Sequence, residues 1–175
     1  MPESPNKLKL VPYSNNYPKI FAKYQKQFFQ SLKNYKVKVH HVGSTAVRGL
    51  GGKGFIDILI GLPDWNREKE IINKLGEIGF THIHPKENER IFLSKPPEDT
   101  KNYDVHLHLT TVDSKPYKDM IYFRDCLRKN PELAKEYFDI KLILFKSTKA
   151  NRKKYTNQKA KFIEKICDLN INNKE

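Results

Sequence analysis

At 175 residues the chain is long enough for one domain with a substantial apolar core. Its 33 Lys/Arg against 20 Asp/Glu leave a net charge of +13, which favours polyanionic partners: nucleotide, nucleic acid or an acidic surface. No apolar run approaches the roughly 18–20 residues that span a bilayer, and two cysteines, Cys126 and Cys167, exclude a disulfide framework or a CxxC metal pair. The opening M-P-E-S-P-N-K-L-K-L lacks the apolar segment of a secretory signal, so the expectation is a cytoplasmic protein with no membrane association. Part of the charge is local: Lys141–Glu175 carries ten Lys/Arg against three Asp/Glu. That excess fits a polyanion-binding face, and it fits equally a lysine- and asparagine-rich composition.

In chain order, residues 1–15 read as loose apart from Leu8–Val11. Tyr17, Ile20, Phe21, Tyr24, Phe28 and Leu32 then recur at helical spacing, an aromatic stripe expected to face the core. Val37–Val42 and Phe55–Ile60 read as strands, with Gly61–Asp64 as the exit turn. Asp64 is placed to cap a helix through Ile78 that buries Ile71, Ile72, Leu75 and Ile78, and Gly79 is placed to end it. Short strands are expected at Phe80–His84 and Glu89–Ser94, followed by a Pro96-Pro97 loop over Lys95–Asn102. Tyr103–Thr110 alternates, with Tyr103, Val105, Leu107 and Leu109 on one face and Asp104, His106, His108 and Thr110 on the other. Three helices complete the reading, Pro116–Lys129, Pro131–Lys146 and Asn151–Asn170, with fraying expected from Asn172. The fold class is therefore α/β (α+β): one mixed sheet flanked by helices, with a C-terminal helical portion.

The chemistry concentrates between His41 and Asp57, in H-V-G-S-T-A-V-R-G-L-G-G-K-G-F-I-D. A strand breaks into a Gly-Ser turn and a loop that together hold five glycines, Arg48 and Lys53, and the chain re-enters a strand bearing one carboxylate. Glycines let backbone N–H groups close on a ligand as an anion nest, and a carboxylate can hold a divalent ion against phosphate oxygens. Asp57, set in an otherwise apolar strand, is costly to bury unless it is paired or metal-bound. The histidines fall in close pairs, His40/His41, His82/His84 and His106/His108. The last two pairs have i, i+2 spacing and so share strand faces on which two imidazoles could meet a metal.

These residues resemble the nucleotidyltransferase superfamily signature, and more closely the hallmark of the GrpB family. E-R-I-F at Glu89–Phe92, H-L-H-L at His106–Leu109, the run Phe123–Lys141 and Y-T-N-Q-K-A-K-F-I from Tyr155 resemble further blocks of that family. The resemblance spans about residues 8–167. It implies a nucleotidyltransferase-like fold and a site that binds a nucleoside triphosphate with a divalent metal, Mg²⁺ or Mn²⁺ with Zn²⁺ as an alternative. Asp57 and His106 are the implied catalytic residues, and Asp57, His106 and His108 the implied metal set. Gly43, Ser44, Thr45, Arg48, Lys53, Arg90 and Lys159 are the implied nucleotide or phosphate contacts.

The chain departs from the superfamily at Leu59, where transferases place a second strand acid; in the GrpB family an apolar residue there is common. Arg48 and Gly54 stand where the family loop has proline, giving a more cationic and less stiff loop. For each polar candidate a purely structural role stays open. His106 and His108 could be solvated strand-face residues, His41 a buried residue bonded to backbone, and Tyr155 and Lys159 ordinary helix packing. Asp125 reads as an internal ion-pair partner, with Arg128 or Lys141 contacting substrate as the alternative. Two functions follow: nucleotidyl transfer to an unknown acceptor, or non-catalytic nucleotide or RNA binding by a degenerate site. GrpB-like domains can be fused to dephospho-coenzyme A kinases, which leaves a coenzyme A-related accessory role open; the chain has no G-x-x-x-x-G-K-[ST] motif of its own.

Overall fold

A computed structural model describes residues 9–96, 104–148 and 151–172. Five helices and five strands follow in the order α1 (Tyr17–Ser31), β1 (Lys38–Val42), β2 (Ile56–Leu62), α2 (Glu68–Glu77), β3 (Thr81–Glu87), β4 (Arg90–Lys95), β5 (Val105–Thr111), α3 (Lys115–Lys129), α4 (Pro131–Ser147) and α5 (Arg152–Asn172). The strands form one mixed sheet in the order β1-β2-β5-β4-β3. Only β2 and β5 pair in parallel, in register Asp57↔His106, Ile58↔Leu107 and Leu59↔His108. As the parallel centre of the sheet, β2 is buried along almost its whole length, and Asp57 alone breaks the run.

One face of the sheet is a single apolar layer. Ile56, Ile58, Ile60, Leu62, Val105, Leu107, Leu109, Ile91 and Leu93 pack there against Tyr17, Tyr24 and Phe28 of α1 and Ile71 and Leu75 of α2. The expected aromatic stripe is thus core. A second cluster forms among the C-terminal helices and the glycine loop: Val47, Leu50, Phe123, Leu127, Tyr137, Ile166 and Cys167.

Local signals explain most boundaries. Ser114 caps α3 by accepting from Tyr117 N, and Asn130 caps α4 by accepting from Leu133 N, each with a proline in the first turn. Gly79, at φ 92°, closes α2: Gly79 N donates to Gly76 O and Phe80 N to Leu75 O. Asp64 departs from expectation. Its carboxylate accepts from Asn66 N at 2.7 Å, which makes a local turn, and α2 begins only at Glu68. The exit turn also comes later than expected, because β2 continues through Gly61 and Leu62. Gly61 lies under Tyr117, whose ring a β-carbon at this position would strike, so this glycine is a close approach and not a breaker. β3 and β4 join through Asn88 and Glu89 at φ 48° and 57°, a two-residue hairpin turn. Tyr103 and most of the expected Lys95–Asn102 loop lie outside the described residues, as do Leu8 and residues 173–175.

Candidate functional site

Pairing across the sheet decides which side chains meet. Asp57 lies opposite His106 on β5 and Val42 on β1, so these three leave the face away from α1 and α2. His106 Nδ1 stands 3.4 Å and His108 Nε2 3.8 Å from the same carboxylate oxygen, Asp57 Oδ1. The Asp57 side chain keeps 27% of its surface open, against 16% for His106 and 13% for His108. Burial alone would push the Asp57 carboxyl up, but hydrogen bonds from His106 and then His108 overcome this and hold it well below the usual carboxylate range. Burial pushes His108 down, against the pull of Asp57, which keeps it neutral; its Nδ1 is buried without a partner in the structure.

The loop folds onto this carboxylate. Gly43 adopts φ 70°, and a β-carbon there would collide with Asp57 Oδ2. Glycine is therefore required twice over, for the left-handed backbone and for the space. Ser44–Ala46 makes a 3₁₀ turn, and Ser44 Oγ accepts from Lys141 Nζ at 3.2 Å. Lys141 also donates to Gly51 O, and its Nζ lies 4.7 Å from the ring centroid of Tyr137. It is 1% exposed, and burial, assisted by Lys159, lowers its amine to about 7. Lys53 Nζ lies 4.8 Å over the Tyr155 ring. Burial pushes the Tyr155 phenol up to about 12, opposed by Lys159. Asp57, after burial, helps raise the Tyr137 phenol. Contacts thus run from Asp57 to Gly43 and from the adjoining Ser44 to Lys141, with Tyr137 beside Lys141 and Lys53 over Tyr155 on the helical side.

α3 holds the loop from behind. Arg124 donates to His41 O at 3.2 Å and grips Asp125, while Arg128 Nε donates to Ala46 O at 2.9 Å. The expected internal pair at Asp125 is therefore present, and both arginines brace backbone.

Other candidates lie elsewhere. Thr45 points inward: its hydroxyl donates to Phe55 O at 3.1 Å and so accepts from His41 Nε2 at 3.0 Å. His41 stacks on Phe21 of α1, and burial lowers it to about 4. His40 meets the Tyr117 hydroxyl at 2.7 Å. Arg90 is exposed on β4, on the His108 side of the sheet, where its charge helps hold His108 neutral. Arg48 is exposed and lines a separate cavity behind the loop, not the Asp57 pocket. The backbone of His82 and His84 lies in β3, and their side chains fall outside the description.

Among the described residues no group of three or more His, Cys, Asp and Glu side chains is arranged to hold a metal. Asp57, His106 and His108 meet as a carboxylate ringed by imidazoles, and Leu59, 0% exposed, fills the place of a second acid. Among the described residues this site therefore offers no all-oxygen magnesium cage. Lys141 is the residue the sequence reading left at the margin. Its signal was a lone lysine in the apolar stretch Ile140–Phe145, preceded by Tyr137 and Phe138.

Comparison with known proteins accords with this architecture. The family model described as GrpB protein matches residues 7–169. A curated relative, the glutamate-rich protein GrpB of Alkalihalophilus pseudofirmus, is 29% identical over 91% of this chain and 93% of its own length. A UPF0157 protein of Halalkalibacterium halodurans is 30% identical over 90% of this chain and 79% of its own. The crystal structure of GrpB from Enterococcus faecalis superposes with a TM-score of 0.79 at 26% identity, covering 92% of this chain and 96% of that one. The Cid1 poly(U) polymerase bound to MgATP superposes at 0.55 and 11% identity, over 78% of this chain and 43% of that one, a likeness of fold alone. The chain belongs to the GrpB family and has a nucleotidyltransferase-like fold.

Proposed function

We propose that this protein binds a nucleoside triphosphate, entering with a divalent cation, between the Gly43–Ser44 turn, Asp57 and Lys141, and transfers its nucleotidyl group to an acceptor. The observation that carries this reading is Lys141: a lysine 1% exposed, fixed on Ser44 Oγ and Gly51 O, in the turn whose Gly43 packs on the ionised Asp57. Burying an amine this deeply is costly, and an arriving phosphate would offset that cost. The Gly43–Ala46 turn adds backbone donors, and Lys53 and Lys159 add charge from the helical side. In the transfer, an acceptor hydroxyl gives up its proton to solvent as its oxygen attacks the α-phosphorus, and the bond to the α–β bridging oxygen breaks to release pyrophosphate. The lysines stabilise the charge that gathers on the leaving phosphates. Asp57 would hold a divalent cation arriving with the triphosphate, which would supply neutralisation of phosphate charge. His106 and His108 keep Asp57 ionised and oriented.

A second reading, binding without transfer, is favoured by Leu59 in place of a second acid. In that reading the exposed lysines of α5, Lys153, Lys154, Lys161 and Lys165, offer RNA or another polyanion a salt-sensitive surface. One experiment addresses both: a thermal-shift panel of ATP, GTP, CTP and UTP with and without Mg²⁺, Mn²⁺ and Zn²⁺, on wild type and Asp57→Asn. A metal-dependent shift lost in Asp57→Asn, with pyrophosphate released on adding an acceptor, is the expected result. A shift without turnover selects the second reading. No shift with any nucleotide overturns nucleotide binding here.

A further inference from the structure

Behind the glycine loop lies a cavity of about 630 Å³, within the range of small-molecule sites. It is bounded by the start of α1, the Thr45–Leu50 segment and the α3–α4 junction, and Asp57 is not among its walls. The strand register gives the reason. His41, which lines the cavity, is offset by one residue from Val42, the partner of Asp57, so their side chains leave opposite faces.

The lining has a definite chemistry. Its walls are apolar, with Phe21, Leu50 and Phe138 prominent. Its charged residues are Arg48, Arg128 and Lys135, and among the described residues no Asp or Glu lines it. Lys135 is engaged with Asp139 on the surface at 2.8 Å, and Arg128 holds Ala46 O through Nε, with Nη1 3.9 Å from Asp125. Arg48 is exposed at the rim. The first turns of α4, from Pro131, bring the positive end of a 17-residue helix to the same wall. Glu132 lies in that first turn but does not line the cavity. The chain segment that supplies the α1 and loop walls is itself basic: residues 9–56 carry nine Lys/Arg and no Asp or Glu.

We propose that this cavity is a second ligand site, for a small organic anion with a flat apolar body whose acidic group meets Arg48 and Arg128. The apolar walls take the body and the cationic rim takes the charge, the division of labour expected of a site with a few placed polar groups. The site stands apart from the Asp57 pocket and does not depend on nucleotide binding there. The two are nonetheless mechanically joined, because α4 presents Phe138 to the cavity and, one turn later, Lys141 to Ser44.

The test uses 8-anilinonaphthalene-1-sulfonate, an anionic aromatic fluorophore, with uncharged N-phenyl-1-naphthylamine as its control. Binding is measured on wild type, Ala134→Phe, Arg48→Glu and Asp57→Asn, with each fold checked by circular dichroism. The expected result is saturable one-to-one binding, lost when Ala134→Phe fills the cavity and unchanged in Asp57→Asn. Arg48→Glu, at an exposed position that folding tolerates, weakens it about tenfold, as loss of one charge-assisted contact does. Absence of saturable binding, or binding that Ala134→Phe leaves intact, overturns the site. Equal binding of the uncharged control, or indifference to Arg48→Glu, overturns the assignment to anions. If Ala134→Phe fails to fold, Arg48→Glu together with competition by non-fluorescent 2-naphthoate decides: indifference to both overturns the proposal.

Discussion

The two faces of the sheet divide the labour. Toward α1 and α2, the central strands present Ile56, Ile58, Ile60, Val105, Leu107 and Leu109, all at 0% exposure. Toward α3–α5 the same strands present Asp57, His106 and His108, set in pairwise contacts. The aliphatic face gains stability from buried area and close packing, so substitutions there cost transfer and packing free energy. The polar face must satisfy each group individually, so a change to one residue alters the charge state of its neighbours. Stability and chemistry are therefore separable by mutation.

The largest effect falls on the aliphatic face. Leu107→Ala removes a fully buried side chain and is expected to cost about 2–5 kcal/mol in denaturant unfolding. It leaves the midpoint of any Asp57 titration unchanged. If Leu107→Ala altered that midpoint, the two faces would not be independent.

Next comes Lys141, the buried amine of the polar face. Its folded value, about 7, lies below its ordinary 10.5, so between those two pH values the unfolded chain binds the proton that the folded chain has lost. Stability therefore rises with pH across that window, and below about 7 the full cost of the buried charge is present. Lys141→Met keeps the apolar stem, and the expected outcome is loss of that rise between pH 7 and 8, below the range in which the buried Cys167 thiol contributes, and roughly 2 kcal/mol of relative gain at neutral pH. Unfolding curves measured at several pH values in both proteins check this. An unchanged slope in Lys141→Met would assign the rise to another group.

Two loop glycines sharpen the comparison further. Gly43→Ala meets both the left-handed backbone and the Asp57 carboxylate, and is expected to cost about 2–3 kcal/mol and displace Asp57. Gly49, at φ 79° with nothing within 4 Å of a built β-carbon, meets the backbone strain alone. Gly49→Ala is expected to cost about 1 kcal/mol and leave the Asp57 pocket intact. Chemical denaturation of both variants, with the nucleotide thermal shift as second readout, separates the two causes.

The legibility of this chain in its sequence follows the same division. The aliphatic face was readable from periodicity, since strict alternation over Val105–Leu109 and helical spacing in α1 leave one arrangement that buries them. The Asp57 site was readable in part, from a short motif and from an acid embedded in an apolar strand. Lys141 is not singled out by sequence, because its role depends on α4 reaching Gly51 O and Ser44, the latter 97 residues away. Arg48 shares the loop sequence with Ser44 and Lys53, and its place along the wall of the cavity behind the loop is set by the fold of that loop, which the motif does not show. Asp64 and Gly61 show how local rules are overridden, the first by a competing side-chain turn and the second by a tyrosine seated on the glycine.

The finest division lies between two adjacent hydroxyls. Ser44 accepts from Lys141 in the Asp57 pocket, whereas Thr45 turns back to Phe55 O and His41. Thr45→Val keeps the shape but leaves the Phe55 carbonyl and His41 Nε2 without their partner, so it is expected to lower stability by about 1 kcal/mol. It should leave a nucleotide-induced thermal shift, once corrected for the lower starting midpoint, unchanged. Ser44→Ala removes one contact of a half-exposed hydroxyl, and its cost in stability is expected to be about half as large. Its effect appears in ligand response, because Lys141 loses an anchor that aims it at the turn. If both variants changed stability and ligand response in the same proportion, the loop would act as one unit and the division between the two faces would end at Val42. Opposite rankings on the two readouts would carry that division through the Gly43 turn to single-residue resolution.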